Sequence, residues 1–251
     1  MKHLLLGIFV TLFAGTIFIF NMKKNNPQDD NVIIVGTNAE YQPFTWIENN
    51  TIVGLDIDII KTVAERIGKQ IKFIDMSFSM LIPEAQLGKI HVIAAGLTPT
   101  TERAEQLLFT DAYLKHDPLL IISLTENKIL TIDELKNKTV VVNEGYTADL
   151  WASQQSISNL VRMDNPSTAF LLLNNKRADA FITAELPVQE YFKVHGKQHY
   201  ACSKIEGVGD EYAFAVSKKH PTLYADINAE LSKMHQDGTL QKIIEKWMHH
   251  D

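Results

Sequence analysis

From residue 31 onward, short apolar runs alternate with helical patterns, and that alternation leaves few architectures open. Residues 31–36 (NVIIVG) read as a buried strand, 71–74 as a second and 92–95 as a third. Between them lie two helical stretches. In the first, Ile57, Ile60, Val63, Ala64 and Ile67 form an apolar stripe, with Asp56 expected as N-cap and Gly68 as the stop. The second spans 81–87 and is closed by Gly88. Residues 44–47 and 51–53 flank Glu48-Asn49-Asn50 as a hairpin. Strand, helix, strand, helix, strand predicts a parallel sheet with helices on both faces. Ligands bind such sheets beyond the carboxyl ends of the strands. The loops at 38–41, 77–78 and 96–103 therefore converge on one edge.

The third strand leads into Ala94-Ala95-Gly96-Leu97-Thr98-Pro99-Thr100-Thr101-Glu102-Arg103, a polar turn with a helix beginning near Thr100. Free backbone N–H groups, a hydroxyl and an arginine one turn into a helix make a receptor for a carboxylate. A guanidinium fork matches a carboxylate with two parallel hydrogen bonds. The alternative is that Arg103 is a surface residue of a first turn. The pattern then repeats: strands at 118–123, 139–143, 160–162 and 179–183, helices at 132–135, 148–155, 166–174 and 187–195. This second α/β unit has its own polar turn at a helix start, Gly145-Tyr146-Thr147. A late strand at 212–216 and amphipathic helices at 222–236 and 240–249 close the chain.

The chain has 251 residues and a net charge of −6, with 45% hydrophobic and 22% charged residues. That length suits one large domain or two ordinary ones. The acidic balance and scattered lysines argue against nucleic acid as a partner. Residues 1–30 are different in kind: Lys2 and His3 precede an apolar run at 4–20 and a polar linker. They read as an export signal or an uncleaved membrane anchor. With three Lys and two Asp they carry +1, so the exported body stands at −7. Cys202, the single cysteine, gives neither an internal disulfide nor a metal set. No nucleophile elbow, Walker loop, dinucleotide fingerprint or H-E-x-x-H is present, and no cofactor is expected. Tyr41 and Phe78, in the edge loops, are candidates to line a pocket; Trp46 reads as core.

Residues 36–44 (GTNAEYQPF), 54–58 (GLDID), 95–103 (AGLTPTTER), 109–111 (FTD), 177–180 (RADA), 237–240 (DGTL) and Lys246-Trp247 resemble, in order, the periplasmic polar amino-acid-binding proteins of ABC importers, solute-binding family 3. The resemblance covers 32–248. It implies an α/β, two-lobe periplasmic-binding-protein fold of type II, each lobe a mainly parallel sheet flanked by helices, with two hinge strands. Residues 31–114 and 217–251 would form lobe 1, and 115–216 lobe 2. It also implies roles. Arg103 would clamp the α-carboxylate, helped by Thr98 and Thr147. The Gly96 carbonyl would accept the α-ammonium, Tyr41 and Phe78 would sandwich the side chain, and Asn38 would stand at its end. The second-lobe acid of the family falls on Ala184 or Glu185, according to a one-residue shift; Glu185 is preferred, because a buried ammonium needs a partner. Tyr146 stands where a small hydroxyl residue is usual, which narrows the pocket.

The expected function is capture of a free polar or basic amino acid, arginine first, by a monomeric periplasmic protein that delivers it to an ABC permease. Glu40, Glu144 and Glu185 would make the cleft acidic. Two other function classes compete with this one. A cyclohexadienyl (arogenate or prephenate) dehydratase-like enzyme needs a general acid over the ring, for which Glu185 is the candidate. A membrane-tethered amino-acid sensor would use residues 4–20 as its anchor.

Overall fold

In the computed structural model, residues 31–248 are described; the signal or anchor expected at 1–30 lies outside them. The chain runs β1 (Val32–Thr37), a meander of β2 (Glu40–Tyr41), β3 (Thr45–Glu48) and β4 (Thr51–Val53), α1 (Leu55–Arg66), β5 (Gln70–Asp75), α2 (Phe78–Leu87), β6 (Val92–Ile93), the one-turn α3 (Thr101–Ala104), β7 (Leu107–Phe109) and the long β8 (Leu114–Leu124). A second unit follows with β9 (Thr139–Asn143), α4 (Thr147–Ala152), β10 (Asn159–Met163), α5 (Pro166–Asn174), β11 (Ala180–Ala184) and α6 (Glu185–His195). Then come β12 (Tyr200–Tyr212), β13 (Ala215–Ser217), α7 (Pro221–Gln236) and α8 (Thr239–Met248).

Two five-stranded sheets form the frame, in the orders β5-β1-β6-β13-β7 and β10-β9-β11-β8-β12. In the first, β5 and β6 run parallel to β1, and β13 runs against both β6 and β7, so one strand of the five is reversed. In the second, β9, β10 and β11 are parallel and β8 alone is reversed, antiparallel to β11 and β12. The two lobes are thus mixed α/β sheets of the same plan. β8 and β12 are the segments that carry the chain between them.

Strand composition explains why both faces of the second sheet are covered. Val140 and Val142, Leu119 and Ile121, and Ala180 and Ile182 share one core with Ala148 and Ala152 of α4. Val141, Leu120, Ile122 and Phe181 point the other way, onto Phe170 and Leu173 of α5 and Val188 of α6. Successive side chains of a strand alternate faces, so continuous apolar runs require helices on both. The hairpin at Glu48-Asn49-Asn50 is present, and its turn holds Asn49 and Asn50 at φ 48° and 61°. Paired left-handed residues match the twist of a tight hairpin, and Asn accepts that region readily.

Several sequence expectations differ from the structure. α2 begins at Phe78, not near 81, because Ser77 rather than a later residue ends the extended backbone. α3 is a single turn, so a macrodipole adds little at its start. The expected strand at 212–216 divides, with Tyr212 ending β12 and Ala215 opening β13. β12, from Tyr200, has no counterpart among the expected strands before Tyr212. Asp56 is not the cap of α1: Gly54 holds that place, and Asp56 is fully buried.

Candidate functional site

The loop at 94–103 is fixed from beneath by Asp56. Its Oδ2 accepts from the Gly96 N–H at 2.8 Å and its Oδ1 from the Tyr113 hydroxyl at 2.6 Å. Burial raises the Asp56 carboxyl to about 7, and these two donors pull the other way. The Thr37 hydroxyl, at the end of β1, donates to the Ala94 carbonyl at 2.6 Å. Gly96 has φ 60°, and a Cβ there would lie 2.8 Å from Tyr41 Cε1. Both features demand glycine. The Tyr41 ring that presses on it is 2% exposed and stacks on Phe44 at 5.4 Å.

Arg103 is 4% exposed, so it is not a surface residue. Nη1 donates to the Thr98 carbonyl at 2.7 Å, within its own lobe. Nη2 donates to the Gly145 carbonyl at 2.7 Å, across the cleft. The guanidinium also lies over the Phe78 ring, 5.7 Å from its centroid. Burial lowers its pKa, and the charges of Asp210 and Glu102 oppose that. A buried guanidinium held by neutral carbonyls is a receptor for an anion.

The second lobe repeats the device. At Gly145 φ is 75°, and its N–H is held by Asp149 Oδ2 of α4 at 3.0 Å, as Asp56 holds Gly96. Arg162 pairs with Asp149 at 2.9 Å. Thr147, half-buried, opens α4 beside this turn. Tyr146 is 5% exposed and lies between the two aromatic candidates. Its ring centroid is 4.2 Å from Phe78 and, edge-on, 5.0 Å from Tyr41. Its hydroxyl donates to Asn38 Oδ1 at 3.1 Å, while Asn38 Nδ2 donates to the Met76 carbonyl at 3.2 Å.

The crossing strands add two buried acids that sequence reading did not single out. Asp117 of β8 accepts from the Tyr212 hydroxyl at 2.6 Å and from the Glu185 and Leu186 N–H groups at 2.9 and 3.1 Å. It caps α6, and burial pushes its carboxyl to about 7. Asp210 of β12 accepts from the Thr98 hydroxyl of the first lobe at 2.9 Å, and the Thr147 side chain bonds to it from its own lobe. Burial raises the Asp210 pKa, against Thr147, Thr98 and the Arg103 charge. Register shifts between Lys204 and Gly209 and between Asp210 and Tyr212 mark irregular pairing with β8 on either side of Asp210. Bulges of this kind re-aim side chains.

The structure therefore brings Asn38, Tyr41, Phe78, Gly96, Thr98, Arg103 and Thr147 around the meeting of the two polar turns. Glu185 opens α6, and its carboxylate pairs with Lys204 at 2.8 Å. Glu40 and Glu144 are exposed. Among the described residues, no group of three or more His, Cys, Asp or Glu is placed to hold a metal. Nor is any described helix long and apolar enough to cross a membrane.

Known proteins similar to this chain are numerous. The chain is 30% identical over 221 residues to the arginine-binding extracellular protein ArtP of Bacillus subtilis (strain 168), covering 86% of this chain and 85% of that one. It is 30% identical over 217 residues to ABC transporter arginine-binding protein 1 of Escherichia coli (strain K12), covering 84% and 88%. An ancestral arginine-binding protein bound to arginine superposes with a TM-score of 0.80 at 34% identity, covering 87% of this chain and 99% of that one. The family model of the bacterial extracellular solute-binding proteins, family 3, matches residues 33–250. With its two mixed α/β lobes and the paired turns between them, the chain belongs to that family of binding proteins.

Proposed function

We propose that this protein captures a free polar or basic amino acid, arginine first, between its lobes and presents it to the permease of an ABC transporter. The observation that carries the reading is Arg103: a buried guanidinium at the cleft, with one donor on each lobe and neutral oxygens as its partners. An α-carboxylate entering there exchanges those carbonyls for a charged acceptor, with the Thr98 and Thr147 groups beside it. The α-ammonium faces the Gly96 carbonyl and an acid. Asp210 already stands between Thr98 and Thr147, whereas Glu185 must leave Lys204 to take that role. Tyr41, Phe78 and Asn38 surround the side chain. Arginine is preferred because the relatives named above are arginine-binding proteins. We assign lobe 1 to residues 31–114 and 215–251, since Ala215 and Val216 pair with β6 and β7 of the first sheet, and lobe 2 to 115–214. Export through residues 1–30 and action as a periplasmic monomer complete the proposal.

Calorimetry with the twenty amino acids tests it. At least one polar or basic amino acid binds, and Arg103→Ala weakens that binding by about 2–4 kcal/mol, on the order of a hundredfold. No binding of any amino acid sinks the function, and full binding by the variant sinks the clamp.

A further inference from the structure

Tyr146 belongs to the second lobe by sequence but to the first by packing. Its side chain joins the hydrophobic core of Tyr41, Phe44, Phe78 and Leu97, not either core of the second sheet. Its ring lies against Phe78 and Tyr41, and its hydroxyl is bonded to Asn38. Those are the three residues that the proposed function gives to the ligand's side chain. The preceding residue completes the substitution, because the Gly145 carbonyl takes one donor of Arg103. A single turn of lobe 2 thus engages both the carboxylate clamp and the side-chain slot.

We propose that Tyr146 is an internal occupant of the side-chain slot and the residue that sets ligand size; this rests on the amino-acid reading above. When the cleft closes without ligand, the ring seats itself between Tyr41 and Phe78. A ligand with a long side chain must drive the ring out and leave Asn38 Oδ1 to find another donor. A ligand with a short side chain closes the cleft with the ring in place. Every long ligand therefore competes with a tethered aromatic, and short ligands do not. The ring has no second duty in its own helix: Tyr146 is the N-cap of α4, yet its side chain makes no cap bond.

That last point supplies a clean variant. Serine is favoured at an N-cap, so Tyr146→Ser removes the ring without weakening α4. Calorimetry with arginine and with serine as ligands, on wild type, Tyr146→Ser and Tyr146→Phe, measures the competition. Tyr146→Ser raises the ratio of arginine to serine affinity at least about tenfold. Tyr146→Phe keeps the ring and shifts the ratio by less than about threefold. A ratio that stays constant or falls in Tyr146→Ser overturns the proposal, because the ring would then be a platform for the ligand. Small-angle scattering of the ligand-free proteins gives a second readout that needs no ligand. Wild type is compact and Tyr146→Ser expands as the lobes part; identical profiles overturn the occupant. If no amino acid binds either protein, the proposed function fails, and the scattering pair still decides whether the ring holds the lobes together.

Discussion

Asp56 offers the sharpest physical test of how the carboxylate-facing loop is held. Its two oxygens meet one obligatory donor, the Gly96 N–H, and one adaptable partner, the Tyr113 hydroxyl. A hydroxyl donates or accepts. A neutral Asp56 can therefore keep Gly96 on one oxygen and donate its proton to Tyr113 from the other. Burial favours that form, raising the carboxyl from 3.8 to about 7. A raised carboxyl contributes stability that is fully present below the unfolded value, near 4, and is lost as pH rises through about 7. At 1.36 kcal/mol per tenfold change, the interval bounds the effect at about 4 kcal/mol. Asp56→Asn copies the neutral acid, with Oδ1 toward Gly96 and Nδ2 toward Tyr113, and does not titrate. The two proteins should then unfold at similar denaturant concentrations at pH 4. By pH 7.5 the variant should be the more stable by about 2–4 kcal/mol, with no further divergence above pH 8. Urea titrations at half-unit pH steps measure this difference, and subtracting the curves removes Asp117 and every other common group. A variant that loses the same stability at every pH, or loses more as pH rises, would falsify the neutral-acid account. It would show that the ionised carboxylate, strengthened by its donors, is the native form.

Two further substitutions probe the scaffold. Gly96→Ala places a Cβ 2.8 Å from Tyr41 Cε1 and 3.1 Å from Phe44 Cδ2 at φ 60°, with neither ring free to move. A destabilisation of about 2–4 kcal/mol should appear as a lowered thermal midpoint, and an unchanged midpoint refutes the close approach. Asp117→Ala uncaps α6 and leaves the fully buried Tyr212 hydroxyl without its acceptor. Denaturation at pH 7.5 should show a loss of about 2–3 kcal/mol, and a loss below about 1 kcal/mol shows that water replaces the carboxylate.

The periodic part of the fold was legible. β9 and α5 lie at the residues that periodicity and capping mark, because local composition and burial agree there. The placement of Gly96 and Thr98 on the turn beyond a central strand, with Arg103 in the short helix that follows, is legible from the strand–helix alternation. β12 was hidden because Gly207 and Gly209 interrupt its pattern and its pairing is irregular between Lys204 and Gly209. Asp56 looks like an N-cap in the sequence because the Gly96 N–H it serves is 40 residues away. A buried acid and an N-cap look alike when only neighbours in sequence are visible. Asp210 and Asp117 are hidden for the same reason, since the Thr98 and Tyr212 hydroxyls they accept from lie 112 and 95 residues away. The insertion of Tyr146 depends on how the two lobes meet, which no local pattern encodes.

The partners of Arg103 also limit what the clamp can contribute. Nη1 and Nη2 each spend one N–H on a carbonyl at 2.7 Å, out of the five donors a guanidinium carries. A ligand carboxylate that displaces those carbonyls gains only the difference between a charged and a neutral acceptor. That difference is about 1–2 kcal/mol per bond, or roughly 2–4 kcal/mol for two. Micromolar affinity requires about 8 kcal/mol. The balance has to come from the ammonium, from burial of the side chain and from closure of the lobes. All amino acids share the carboxylate and ammonium, so neither can distinguish one from another. On the proposed function, discrimination falls to the slot bounded by Tyr41, Phe78 and Asn38. We infer that Tyr146 is the incumbent there, and that the affinity for each amino acid is set by how well its side chain replaces, or fits beside, that phenol ring.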